Sequence, residues 1–152
     1  MPTSRDSRPR ASTRVGTLLL LLVTALLLAP SASAGAVRED RTPPRFAGLQ
    51  SAVTCIPGPI GGGRTTAYTL RWDPATDNRT PTRRIVYDVY QATTAGGEDF
   101  STPTYTTDPG ATSFTTPQLP TDKVFYFVVR ARDRAGNRDS NAVERDGQNL
   151  CL

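Results

Sequence analysis

The side chains able to do chemistry in this 152-residue chain are few, and the missing types decide as much as those present. There is no histidine, so neither a Ser-His-Asp nor a Cys-His arrangement can be assembled. The only two cysteines are Cys55 and Cys151, and two thiols without histidine do not make a zinc site. Carboxylates remain: Asp73 and Asp77 in one polar segment, Asp133 and Asp139 in another. Glycoside hydrolysis needs such a pair at a fixed separation across a cleft, which a small domain with short loops offers poorly. The oxygens of Asp77, Asn78, Asp133 and Asn137 are of the type that binds calcium, which takes about six to eight of them. The same residue types build turns by accepting hydrogen bonds from nearby backbone N–H groups, and their dispersed spacing favours that role. Neither a resident metal nor a cofactor is expected.

The compartment follows from the first 34 residues. Arg5, Arg8, Arg10 and Arg14 precede a leucine-dominated run over 15–29, Pro30 ends it, and Ala32-Ser33-Ala34 offers small residues at a cleavage point. That order is a secretory signal peptide over 1–34, and the run falls short of the roughly 20 apolar residues of a spanning helix. Most of the net charge of +4 sits in this leader, so the basic pI of about 9.5 does not argue for a nucleic-acid partner. Export makes a disulfide the simplest state for the cysteine pair, closing a loop of 96 positions. The expected location is secreted, with the mature protein not spanning a membrane.

The elements that must position these residues are strands. Residues 35–42 carry charge and no apolar period, and read as a flexible lead-in to a domain over 43–152. Phe46, Leu49 and Val53 begin a loosely patterned first strand, and 57–63 (PGPIGGG) is a loop. Tyr68, Leu70 and Trp72 alternate with Thr69 and Arg71 in a second strand. Ile85, Tyr87 and Val89 alternate with Val86, Asp88 and Tyr90 in a third. Pro103 limits 100–107 to a short edge strand, Phe114 centres another over 113–116, and 142–145 supplies the last. The strongest pattern is KVFYFVVRARDRAGN over 123–137: Phe125, Phe127, Val129 and Ala131 face one way, Tyr126, Val128, Arg130 and Arg132 the other. Short strands with turn signals every ten residues or so, and no helical period after residue 35, predict an all-β antiparallel sandwich or barrel.

Four features in order resemble a fibronectin type III domain. Trp72 closes the second strand as Leu70-Arg71-Trp72, and Tyr87-Asp88-Val89-Tyr90 resembles the family's third-strand Tyr-x-Val pattern. Leu119 stands six residues before Phe125, and the sixth strand ends in Ala131, Asp133, Gly136 and Asn137. The resemblance implies a seven-stranded antiparallel β-sandwich. One departure is Phe125, where the family carries a tyrosine whose hydroxyl bonds nearby backbone; phenylalanine fills the volume without the bond. The resemblance places Cys55 and Cys151 at one pole, and brings the loops 73–82 and 133–140 together at a pole. It also makes the third and sixth strands antiparallel neighbours, so that Tyr90 would lie near Tyr126 and Asp88 near Arg130 on an outward face.

That face, with Tyr90, Tyr126, Arg130 and Arg132, is one candidate binding surface, since aromatic and guanidinium groups make good anchors. Ordinary cross-strand pairing on a solvated sheet accounts for the same residues. The pole loops with Asp77, Asn78, Asp133 and Asn137 are the other candidate. Arg79, Arg83, Arg84, Arg134 and Arg138 crowd that region, where they are expected to neutralise its aspartates, a basic patch for an anionic polymer being the alternative. The expected role is a secreted, non-catalytic binding, adhesion or spacer module whose partner is an unknown protein or a cell-surface glycan. A secreted inhibitor or ligand presenting a pole loop to a protein is the alternative, and a small carboxylate-based hydrolase the third.

Overall fold

Strand-forming runs broken by glycine, proline and asparagine fold here into ten short strands among the described residues. The computed structural model describes residues 38–56 and 64–151; the expected leader over 1–34 and the loop over 57–63 lie outside them. The strands are β1 (Ser51–Thr54), β2 (Thr65–Thr66), β3 (Thr69–Arg71), β4 (Val86–Ala92), β5 (Tyr105–Thr106), β6 (Ser113–Thr115), β7 (Leu119–Pro120), β8 (Tyr126–Arg132), β9 (Glu144–Asp146) and β10 (Gln148–Asn149). One 3-10 turn at Thr82–Arg84 is the helical element among the described residues, so the fold is all-β.

Two four-stranded sheets, in orders β10-β1-β3-β6 and β5-β4-β8-β9, share one core, and β2 and β7 form a two-stranded ribbon. Neighbours run antiparallel except β10, which lies parallel to β1. The longest ladder joins β4 to β8, from Val86 opposite Arg132 to Ala92 opposite Tyr126. Ala52, Tyr68, Leu70 and Trp72 meet Ile85, Tyr87, Val89, Phe125, Phe127, Val129 and Ala131 in the core. Burying one such aliphatic or aromatic side chain is worth about 1.5–3 kcal/mol. The polar tips are satisfied as well: Trp72 Nε1 donates to the Ala111 carbonyl at 3.0 Å, and Tyr87 Oη accepts from Ala75 N at 2.7 Å. Phe125 is buried against Tyr68, while Tyr126 lies on the other face and is half-buried, as the period of two requires.

Several expectations shift. Val53 is only half-buried, and Ala52 and Thr54 point inward instead. The inward phase changes between Leu49, which is 1% exposed, and Ala52; before them Gly48, with a φ of +90° and no room for a Cβ against Val143, turns the chain into the strand. The last strand starts at Glu144 rather than Ala142, because Asn141 spends its groups on other partners: its carbonyl accepts from Arg130, and its side chain donates to Val129 O. Among the described residues ten strands stand where seven were expected, the additional ones being β2, β7 and β10. The largest correction concerns the outward face of β4 and β8. Asp88, Tyr90 and Val128 are 0%, 1% and 1% exposed: Phe100, from segment 93–104, lies 5.1 Å from the Tyr90 ring, and Arg132, Arg138 and Thr106 close on Asp88.

Cys55 and Cys151 form a disulfide. The parallel pairing of Thr54 with Asn149, and the Leu150 N to Thr54 O bond of 3.0 Å, bring their Cα atoms to 4.6 Å. An oxidised pair of this kind fits an extracytoplasmic compartment. Because the bridge closes 96 positions, reduction or a Cys55→Ser/Cys151→Ser double variant should cost up to about 4–5 kcal/mol in urea unfolding. Non-reducing mass analysis should find the chain two hydrogens lighter than its sequence mass; two free thiols would contradict the bridge.

Candidate functional site

On the sheet face the functional candidates converge on one buried carboxylate. Asp88, in the middle of β4, sits opposite Arg130 in the ladder but does not pair with it. Its Oδ2 accepts from Arg132 Nε at 2.9 Å and from Arg138 Nε at 2.8 Å. Its Oδ1 accepts from Arg132 at 3.2 Å and from the Thr106 hydroxyl at 3.0 Å. Burial alone would raise this carboxyl, but hydrogen bonds from Arg132 and Thr106 and the charges of Arg132 and Arg138 outweigh it and hold it below the usual carboxylate range. Arg130 turns away: it donates to the Asn141 carbonyl at 2.9 Å and lies 3.6 Å over the Phe100 ring.

Of the four residues expected to form a binding face, Tyr90 is therefore interior, and Arg130 and Arg132 are committed to partners within the chain. Tyr90 pairs across the ladder with Val128, and Tyr126 with Ala92, so the two tyrosines are not direct neighbours. Tyr126 keeps part of its ring at the surface. The alternation placed these side chains on the correct side of the sheet; the covering segment could not be read from it.

The pole loops do meet. Arg134 N donates to Thr80 Oγ1 at 3.2 Å, joining 133–140 to 73–82. Carboxylate oxygens of Asp77, Asp133 and Asp40 lie within 4.8 Å of one another. Each also holds its own turn. Asp77 Oδ2 accepts from Arg79 N at 2.8 Å and Thr80 N at 2.7 Å, Asp133 Oδ1 from Asn137 N at 2.8 Å, and Asp40 Oδ1 from Thr42 N at 3.2 Å. Asn137 Nδ2 donates to Asp133 Oδ2 at 2.8 Å and to Asp40 O at 3.0 Å. Asn78 is exposed, and Asp77 Oδ1 has no hydrogen-bond partner among the described residues.

Asp40 is the residue that sequence reasoning missed. It lies in the stretch read as a flexible lead-in, yet Asn137 holds its carbonyl and Arg79 donates to Arg38 O at 2.5 Å. No apolar period marks that docking, because it is made by side-chain donors 41 and 97 positions away. Of the carboxylates considered for hydrolysis, Asp77 and Asp133 join the cluster, and Asp73 and Asp139 do not. Asp73 accepts from Gln50 at 2.6 Å, and Asp139 is buried against β8, where it accepts from Ala131 N and Asn141 N. Burial raises the Asp139 carboxyl, with bonds from Asn141 and Ala131 and the charge of Arg130 pulling against it. These contacts are those of groups that hold loops in place.

Removing the shared anion is the sharpest test of this network. Asp88→Ala should destabilise the fold by about 3 kcal/mol at pH 7, since it strands two guanidinium groups, and urea unfolding reads the loss. The Asp88 contribution is fully present above its ordinary pKa of 3.8 and is lost as pH falls through the lower folded value, so the variant should lose less stability than the native protein on acidification below that point. Equal acid dependence in the two proteins would contradict this assignment. The chain matches no protein-family model, and no curated protein matches it in sequence.

Proposed function

We propose that this chain is an exported fibronectin type III-like sandwich that acts as a non-catalytic binding or spacer module outside the cytoplasm, its partner an unidentified protein or cell-surface glycan. Support for the family reading comes from strand division: without the ribbon β2/β7 and the terminal β10, seven strands remain, β1-β3-β6 facing β5-β4-β8-β9. Trp72 and Tyr87 pack across that core with tilted rings, centroids 5.2 Å apart, which suits the motif residues that carry the resemblance. The leader-like first 34 residues and the disulfide support export.

The observation that carries the non-catalytic reading is the use made of the carboxylates. Asp88, Asp133 and Asp139 are buried and each is bonded inward, to arginines, to an asparagine or to backbone N–H groups. With the outward face of β4 and β8 covered, the pole around Asn78, Arg79 and Arg134 is the polar surface best placed to meet a partner. Asp77 and the bridge between Arg45 and Thr76 hold that loop in one shape before contact, which lowers the entropy cost of binding.

The protein immobilised against a glycan array and cell-surface fractions should retain a partner without turning it over. Asn78→Ala and Arg134→Ala should weaken retention, while Lys123→Ala, away from this pole, should not. Release of products from a polysaccharide panel, abolished by Asp73→Asn or Asp133→Asn, would overturn the reading in favour of a hydrolase.

A further inference from the structure

Arg79, Arg83, Arg84, Arg134 and Arg138 were expected to neutralise the aspartates of the pole, and among the described residues only Arg138 meets a carboxylate, that of Asp88 on β4. The other four are exposed. Arg79 Nη1 donates to Arg38 O at 2.5 Å, while the side chains of Arg38, Arg83, Arg84 and Arg134 have no hydrogen-bond or ion-pair partner among the described residues. The aspartates draw on other donors. Asp77 and Asp40 hold backbone N–H groups, and Asp133 holds Asn137.

The fold fixes where these cations stand. Arg38, Arg79 and Arg134 line one open depression, with Thr80 and Asp40 between them in its wall. Its two loops are tied by Arg134 N donating to Thr80 Oγ1 at 3.2 Å. Arg83 and Arg84 follow on the 3-10 turn Thr82–Arg84, where Arg84 N donates to Pro81 O at 2.7 Å and Ile85 N to Thr82 O at 3.1 Å. That turn backs on Gly110, where an added Cβ would stand 3.0 Å from Arg83 Cα. The backbone is therefore held while the guanidinium groups stay exposed. Glu39 shares the depression but is drawn to Arg41, and Asp40 Oδ1 accepts from Thr42 N.

We infer that Arg38, Arg79, Arg83, Arg84 and Arg134 form a surface that binds an anionic polysaccharide, an inference that rests on the reading of this chain as a binding module. A guanidinium presents a planar fork of donors that matches the paired oxygens of an anionic group, and it is more weakly hydrated than an ammonium. The chain's only lysine, Lys123, takes no part. One exposed ion pair contributes little in water, so several cations on a held backbone suit a ligand that repeats its negative groups. Such a polymer also releases its condensed counter-ions on binding. Overall charge does not create the surface, because most of the +4 lies in the leader. The leader and the disulfide favour a glycan over a nucleic acid as the polyanion encountered.

Dextran sulfate and neutral dextran of the same length, titrated calorimetrically into the oxidised protein, separate charge from sugar. Only the sulfated polymer should bind. With three to five arginines in contact and about 0.7 counter-ions released for each, its Kd should rise roughly 20- to 130-fold between about 50 and 200 mM NaCl. Arg83→Gln/Arg134→Gln should lower the slope of log Kd against log salt by about 1.4, with the urea midpoint unchanged. Lys123→Gln should leave that slope as it is. No preference for dextran sulfate over dextran would overturn the inference, and so would a slope lowered as much by Lys123→Gln as by Arg134→Gln. Tighter binding of single-stranded DNA of equal charge would overturn the assignment to a glycan. Retention of a neutral glycan or a protein at the pole, without dextran sulfate binding, would overturn this inference and leave the binding-module reading standing. A protein that retains no partner of any kind would overturn both.

Discussion

Seven consecutive residue pairs join β4 to β8, and the positions of the other groups follow from that ladder. One of its faces carries Tyr87, Val89, Phe127, Val129 and Ala131 into the core against Leu70 and Trp72. Its other face carries Asp88, Tyr90, Val128, Arg130 and Arg132. An antiparallel pair normally leaves one face to water, so covering both is the unusual demand placed on this chain. The first face is answered by a second sheet. The second is answered by twelve residues of connection, 93–104, and by two arginines drawn onto Asp88.

Asp88 shows how the second answer works at the level of charge. A carboxylate fully removed from water is costly unless paired and hydrogen-bonded. Here it has three donors, Arg132, Arg138 and Thr106, contributed by β8, by the loop after β8 and by edge strand β5. The two guanidinium groups stay about one-third exposed, so the pair buries one charge and keeps its partners partly hydrated. That arrangement avoids the desolvation of both ions that makes many buried pairs unprofitable. It also ties the loop at 133–140 to the sheet, which helps fix the pole where Asp133 meets Asp77 and Asp40.

The strands were legible in the sequence because their signal is local. Phe125, Phe127, Val129 and Ala131 alternate with Tyr126 and Arg130 over seven residues, and nothing in between breaks the period. The pairing of Cys55 with Cys151 was legible from composition, as the only arrangement two cysteines allow within one chain. Val53 was misplaced because the inward phase shifts between Leu49 and Ala52, and a period count carried on from Leu49 passes over the shift. Tyr90 was misread for a different reason. Its alternation gives the side of the sheet, but exposure depends on what folds over that side, and the covering residues Phe100 and Glu98 have no regular period to announce them. Asp40 was invisible on the same ground, since its place at the pole is set by Asn137, 97 positions away.

The two faces of the ladder also differ in how well their polar groups are satisfied. Toward the core, Trp72 Nε1 and Tyr87 Oη both have partners at 2.7–3.0 Å. On the side covered by 93–104, Tyr90 Oη and Glu98 Oε1 are two of the three buried side-chain atoms without one among the described residues. A buried polar atom left unpaired costs about 1–3 kcal/mol, and opening that segment returns both to water. The aromatic contacts of Phe100 with Tyr90 and Arg130 offset that cost and do not remove it. Segment 93–104 therefore covers the side of the ladder whose buried polar atoms are less completely paired. Local opening should begin at 93–104 and leave the core side of β4 and β8 intact, because the parts of a fold that open first are those with the least net stabilisation.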